Sequence, residues 1–277
     1  MLLTNKDVLP SATQAAIREL QPTGTADTGK TQFIRVGDQT ANPSGYKSTV
    51  INGSDSIELA AAIDRFQSSA NKRASANVVV VSADQADFSV PAAAWAAKSG
   101  DSVLFVHKTS IPAATANAIR TRRRPNIYIL GPESIIAPSV ATELRKLGRV
   151  VRISGTEPIR NSIAFARYSD SNFGWGVTNP GHGIVFGKVG FPEQAAVAAP
   201  LSASGSYGPL LLLGGPTLAA PINNYLLDIQ PGFSEDPARG VYNHGWLIGD
   251  DDEISLADQA RIDKLLEITE VKRRLIP

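Results

Sequence analysis

Ile51-Asn52-Gly53-Ser54-Asp55-Ser56-Ile57 recurs as Ile153-Ser154-Gly155-Thr156-Glu157-Pro158-Ile159, an offset of 153 − 51 = 102 residues. Arg65-Phe66 falls on Arg167-Tyr168 at the same offset. A separate stretch repeats the spacing: Leu9-Pro10-Ser11-Ala12-Thr13 returns as Ile111-Pro112-Ala113-Ala114-Thr115, and Ala16-Ile17 returns as Ala118-Ile119. Two separate segments agreeing on one offset mark a tandem repeat, the first feature to establish in any chain. A third copy is looser. Pro209-Leu210-Leu211-Leu212-Leu213 answers to Ser102-Val103-Leu104-Phe105-Val106 (209 − 102 = 107), and Gly249-Asp250 answers to Gly131-Pro132 (249 − 131 = 118), so this copy carries insertions.

The middle copy shows what one unit is. Apolar residues Ile57, Ala60, Ala61, Ile63 and Phe66 keep helical spacing over 56–70, with Ser54 or Asp55 able to cap its start. Val78-Val79-Val80-Val81 is a β-branched run of the kind found in strands buried on both faces. Helix follows over 90–98, strand over 103–106, helix over 112–122, strand over 127–130, helix over 138–147 and a short strand over 150–153. In the third copy 184–186, 210–213 and 241–248 read as strands, while 169–182 and 232–240 read as loops. Strands alternating with helices predict parallel sheets covered on both faces, hence an α/β chain of tandem Rossmann-like or flavodoxin-like units. The division expected is 1–52 for a partial first unit, 53–154 for the second and 155–277 for a diverged third. Met1-Leu2-Leu3 would already be the second strand of the first unit, whose front half is missing. The chain is then a processed fragment, or a partner covers that face, since a bare sheet edge invites association.

Composition narrows the function classes. The 277 residues are 43% hydrophobic and 19% charged, with a net charge of +1, so no global field draws the chain to nucleic acid or to a membrane surface. There is no cysteine, which removes disulfides, thiolate metal sites and a cysteine nucleophile. No apolar run reaches the ~18 residues of a membrane span. Met1-Leu2-Leu3-Thr4 lacks the basic leader and apolar length of a signal peptide, so either the protein is cytoplasmic or a targeting segment lies outside this sequence.

These motifs resemble the cell-wall-binding repeat (type 2) family of bacterial and archaeal surface proteins. That family's unit has an apolar strand, a Leu-Pro-x-x-Thr helix start, a strand ending in Gly-Gly, and an Arg-Ile-x-Gly segment opening the next unit. Here Met1-Leu2-Leu3-Thr4, Val103-Leu104-Phe105-Val106 and Pro209-Leu210-Leu211-Leu212 fill the first slot, and Leu9-Pro10 and Ile111-Pro112 the second. Ile129-Leu130-Gly131-Pro132 fills the third with one glycine lost, and Arg152-Ile153-Ser154-Gly155 the last. The resemblance implies units packed about a pseudo-threefold axis. It also implies a non-catalytic extracellular module at the cell wall or cell surface. Such a module binds an anionic polysaccharide or teichoic-acid-like polymer and tethers a protein to the envelope.

Candidate contacts fall in two places. Arg120, Arg122, Arg123 and Arg124 form the densest basic run, and guanidinium forks suit phosphate or carboxylate. Cations at a helix C-terminus also simply complement its dipole. The turns after the Leu-rich strands hold Asn5 and Lys6, then His107, Lys108 and Thr109, then Thr217. In open α/β sheets ligands bind beyond the carboxyl ends of strands, beside helix N-termini that favour anions. Ordinary loop polarity and helix capping explain the same residues.

The three histidines, His107, His182 and His244, lack metal-ligand spacing. Asp250-Asp251-Asp252-Glu253 precedes a helix, where acidic residues stabilise the dipole. No metal or other cofactor is expected. No Gly-x-Gly-x-x-Gly follows a strand, and neither a Walker sequence nor a Gly-x-Ser-x-Gly elbow occurs. An enzyme reading therefore rests on fold analogy alone. Trp95 reads as a core residue and Trp246 falls in an expected strand, whereas Trp175, between Gly174 and Gly176, reads as an exposed platform for a sugar ring. A self-associating surface-layer or filament subunit is the alternative, and a homo-oligomer would follow from it.

Overall fold

The computed structural model describes residues 2, 4–24, 29–38, 41–203, 205, 207–215 and 217–270. The chain begins with α1 (Ser11–Leu20), β1 (Phe33–Val36) and β2 (Ser48–Ile51). There follow α2 (Ser56–Ala70), β3 (Asn77–Ser82), α3 (Ala86–Ser89), α4 (Pro91–Ser99), β4 (Ser102–Val106), α5 (Ala113–Arg120), β5 (Asn126–Leu130), α6 (Pro138–Arg145) and β6 (Arg149–Ile153). The last part holds α7 (Pro158–Arg167), β7 (Gly183–Lys188), α8 (Pro192–Val197), β8 (Leu210–Leu213), α9 (Ala220–Asp228), β9 (Gly232–Phe233), β10 (His244–Leu247), α10 (Leu256–Leu266) and β11 (Thr269–Glu270). Short 3-10 turns cover Ala199–Ala203 and Pro237–Arg239.

The strands form sheets in the orders β1-β2, β4-β3-β5-β6, β10-β7-β8 and β11-β9, and every pairing of these strands is parallel. The α/β class with parallel sheets is as expected. Val78 to Val81 are all fully buried. Val78 and Val80 face a cluster with Ile127, Ile129, Ala118 and Leu144, while Val79 and Val81 face another with Tyr128, Leu130, Trp95 and Phe165. Helices thus close both faces of the sheet, which is why the run is apolar throughout rather than alternating.

The repeated motifs have physical causes. Pro10 and Pro112 cap α1 and α5 with nearly equal backbone angles, φ −55 and ψ 151 against φ −59 and ψ 149. The threonine three residues on is buried in both helices, and the Thr115 hydroxyl donates to the Phe105 carbonyl of β4 at 2.6 Å. That bond ties the helix to the preceding strand. Gly53 and Gly155 are needed for close approach. A Cβ on Gly53 would lie 2.2 Å from Leu59 N, and one on Gly155 would lie 2.2 Å from the Arg160 carbonyl carbon. Arg152 donates to the carbonyls of Gly131 at 2.7 Å and Ile136 at 2.9 Å, binding the turn after β5 to β6.

Three features depart from the sequence reading. β1 was not expected, yet Gly37 N–H donates to Ile51 O at 2.9 Å just as Gly131 N–H donates to Ile153 O at 2.9 Å. Those glycines are 131 − 37 = 94 residues apart, not 102, and the 8-residue difference is the length of α6. Among the described residues no helix occupies 37–47. Second, the expected loop over 232–240 contains β9 and a 3-10 turn. Third, β11 pairs with β9, and among the described residues no strand pairs with the outer edge of β10, which lies beside a groove of about 720 Å³ between it and α10. The strand expected at Met1-Leu2-Leu3 falls mainly outside the described residues; Leu2 and Thr4 are in no strand.

Candidate functional site

The basic run divides at Arg122. Arg120, Arg123 and Arg124 are exposed, but Arg122 turns inward. Its Nη2 donates to Asp64 Oδ1 at 2.5 Å and to Ser102 Oγ at 2.8 Å. Its Nη1 donates to Asp64 Oδ2 at 3.2 Å and to the Ala118 carbonyl at 2.7 Å, and its Nε to the Ser75 carbonyl at 2.9 Å. Both side chains of the Arg122–Asp64 pair are 3% exposed. Every donor face of the fork is used inside the fold, so Arg122 is corrected from a ligand contact to a clamp joining α2, β4 and the end of α5. A buried guanidinium requires such full pairing.

The candidates that flank the four-stranded sheet lie at its opposite ends. His107, Lys108 and Thr109 follow the carboxyl end of β4, whereas Arg123 and Arg124 precede the start of β5, which runs parallel to it. Thr109 and Arg120 share a groove of about 330 Å³ between α5 and α6 with Ser139, Glu143 and Lys146. Arg123 and Arg124 line a separate groove of about 350 Å³ with Ser75, Thr121 and Asn126. Arg124 sits at φ 52, a left-handed conformation that turns the chain into β5.

At the carboxyl end His107 Nδ1 lies 2.9 Å from Asp84 Oδ1, and the Lys108 N–H donates to Asp84 Oδ2 at 3.2 Å. The His107 hydrogen bond holds the Asp84 carboxyl below its usual range. A carboxylate therefore sits among the cations expected to attract an anion. Asn5 and Lys6 are exposed, and Lys6 pairs with Asp38 at 2.9 Å. Thr217 is exposed just before α9, and the N–H of its neighbour Leu218 donates to Asp258 at 2.7 Å.

Trp175 is also corrected. It is 8% exposed, not a surface platform. Gly174 (φ 107) and Gly176 (φ 63) take left-handed conformations that fold the indole back onto Trp95, 5.3 Å away in a T-shaped contact. Phe173 stacks on Tyr128 at 3.7 Å, and Asp170 accepts from the hydroxyls of Tyr128 at 3.0 Å and Tyr168 at 2.9 Å. Burial works to raise the Asp170 pKa, but bonds from the Asn172 N–H, both tyrosines and the Phe173 N–H outweigh it and leave the carboxyl below its ordinary value. Burial and the Asp170 bond push Tyr168 up to about 12. Sequence reasoning missed Lys98, whose ammonium stands 5.0 Å from the ring centres of both Trp95 and Trp175. Its signal was a lysine three residues after a tryptophan at the end of an Ala-rich helix, which is weak.

The acidic turn before α10 is closed on itself. Asp250 Oδ1 accepts from the N–H groups of Asp252 and Glu253, and Ser255 caps the helix through Asp258 N–H. Among the described residues no group of three acidic, histidine or cysteine side chains is placed to hold a metal, and no helix is long and apolar enough to cross a membrane.

Residues 50–141 match the family described as Cell wall binding domain 2 (CWB2). The resemblance read from the motifs is thereby shown over that segment, which holds β3, β4 and β5 of the four-stranded sheet. Among solved structures, Cwp6 from Clostridium difficile superposes with a TM-score of 0.72 at 17% identity over 96% of this chain. Cwp8 from Clostridium difficile superposes with a TM-score of 0.59 at 15% identity over 94% of this chain. At such identities the likeness establishes the fold. This chain spans 39% of the Cwp6 chain and 38% of the Cwp8 chain. A search of curated proteins gives no match.

Proposed function

We propose that the chain is a non-catalytic, extracellular module that binds an anionic cell-wall polysaccharide or teichoic-acid-like polymer and anchors a protein to the cell envelope. The observation that carries this reading is the Cell wall binding domain 2 match over 50–141, in a chain sharing the fold of two Cwp proteins. The division into units 1–52, 53–154 and 155–277 belongs to the same proposal.

The surface chemistry supports it. Arg123 and Arg124 are exposed and form no ion pair with any described residue, leaving their forks for phosphate or carboxylate. Lys108 adds an exposed cation at the other end of the sheet, and Arg120 adds one at the end of α5. Asn5, Lys6, His107, Thr109 and Thr217 complete the proposed contact set. The test is pelleting with protein-free Gram-positive cell walls. Retention at low salt and release at high salt are expected, because exposed ion pairs are screened. Failure to pellet at low salt would contradict the proposal.

One observation favours a self-associating surface-layer or filament subunit. Ile34, Val36 and Val50 on the two-stranded β1-β2 sheet are 45%, 38% and 42% exposed, an unusual state for a strand pair. Sedimentation velocity separates the readings: a concentration-independent monomer argues against assembly.

A further inference from the structure

Three chain segments meet at Lys98. Trp95 and Lys98 lie one turn apart on α4, Trp175 comes from the 168–177 loop, and Tyr207 from the connection into β8. The Lys98 ammonium is 5.0 Å from the Trp95 and Trp175 ring centres and 5.8 Å from that of Tyr207. The two indoles are fixed. Trp95 Nε1 donates to Asp101 at 2.8 Å, and Trp175 packs edge-on against Trp95. Tyr207 is 51% exposed.

The ring faces attract the cation but give its N–H groups no acceptor. No carboxylate, carbonyl or hydroxyl among the described residues accepts from Lys98, although the residue itself is open to solvent. The Trp175 Nε1 is buried and has no acceptor among the described residues. Buried donors ordinarily find partners, so an indole N–H without one marks this aromatic cluster as incompletely satisfied. Aromatic rings beside a cation suit one ligand chemistry in particular: a sugar ring, whose C–H face stacks on an aromatic, carrying a negative group for the ammonium.

We propose that Lys98 and Tyr207, supported by Trp95 and Trp175, form a subsite for an acidic sugar unit, a uronate or a sugar phosphate. This rests on the wall-polymer reading and adds the position at which one unit of the polymer is held. Because the segments flank both the four-stranded and three-stranded sheets, occupation ties the two together.

Tryptophan fluorescence of the whole chain reads the site directly, since two of its three tryptophans, Trp95 and Trp175, lie at Lys98. The probes are an oligoglucuronate, a hexose phosphate and the carboxyl-reduced oligoglucuronate. A saturable change with either acidic probe and none with the neutral one is expected, and which acidic probe binds tells uronate from phosphate. K98Q should weaken binding at least tenfold, Tyr207→Leu severalfold, and K98R should restore most of it, with unchanged circular dichroism in all three. Equal response to the neutral probe, or K98Q binding like the parent, overturns the subsite. If the parent pellets with cell walls and K98Q pellets equally, the subsite fails and the wall-binding reading stands. If the parent does not pellet, the wall-binding reading fails with it.

Discussion

The four-stranded sheet β4-β3-β5-β6 and the three-stranded sheet β10-β7-β8 start from the same alternation of strand and helix but finish differently. In the first, β5 is unbroken and β6 pairs along its whole length. In the second, the chain makes an excursion over 234–243 between β9 and β10, and β11 joins β9. The means of fixing each region differ as well. The four-stranded region has the Arg122–Asp64 clamp, whereas Ala166, fully buried, stands 166 − 64 = 102 residues on from Asp64. The three-stranded region relies on Asn243, 7% exposed, which accepts from Gly181 N–H at 2.8 Å and His182 N–H at 3.2 Å and donates to Ile229 O at 2.9 Å. An insertion is tolerated there because one side chain satisfies three backbone groups that the excursion would otherwise leave bare.

This contrast can be broken region by region. R122M should have the largest effect, because it leaves the Asp64 carboxylate buried without its partner; a loss of about 3–5 kcal/mol is expected. Urea unfolding measures it, and hydrogen exchange should rise in α2, β4 and α5. R123M should leave stability within about 0.5 kcal/mol. Asn243→Ala should cost about 2–3 kcal/mol, for three backbone groups left unpaired. Its exchange should rise in β7 and β10 and not in β3–β6. If both variants loosen the whole chain equally, the two regions are not separately fixed.

Acid should act through Asp170, which joins the aromatic loop to the four-stranded sheet. Its folded pKa is depressed, so its contribution is complete above the unfolded value of ~3.9 and is lost as pH falls through the folded value. The tyrosines act at the other extreme. With Tyr168 raised to about 12, its contribution holds below the unfolded value of ~10 and is lost as pH rises toward the folded one. D170N should flatten the acid limb of a stability–pH curve measured by urea midpoints; an unchanged limb would place the acid sensitivity elsewhere. A smaller loss than that of R122M or Asn243→Ala is expected from Thr115→Val, about 1 kcal/mol for one hydroxyl bond to β4.

The helices and buried strands of the 53–154 stretch were legible because their hydrophobic period is decided locally, as at Val78 to Val81. β1 was not, since an eight-residue shortening moves Gly37 off the common offset and hides its match to Gly131. The candidate site was legible only in part. Four arginines within five positions look alike in sequence, and only the position of Asp64, 58 residues away, separates Arg122 from its exposed neighbours. Gly174-Trp175-Gly176 likewise reads as an open turn, and tertiary packing decides that its indole points inward. Lys98 draws two of its three rings, Trp175 and Tyr207, from segments distant in the chain, which no local pattern reveals.

The most direct measurement of the central claim is the affinity of the chain for purified anionic wall polymer as a function of salt, for the parent and for an Arg120→Gln, Arg123→Gln, Arg124→Gln triple variant. The account predicts binding that weakens steadily with salt and a weaker, less salt-sensitive triple variant of unchanged stability. Binding that is indifferent to salt and to the three arginines, or no binding at low salt, would contradict it.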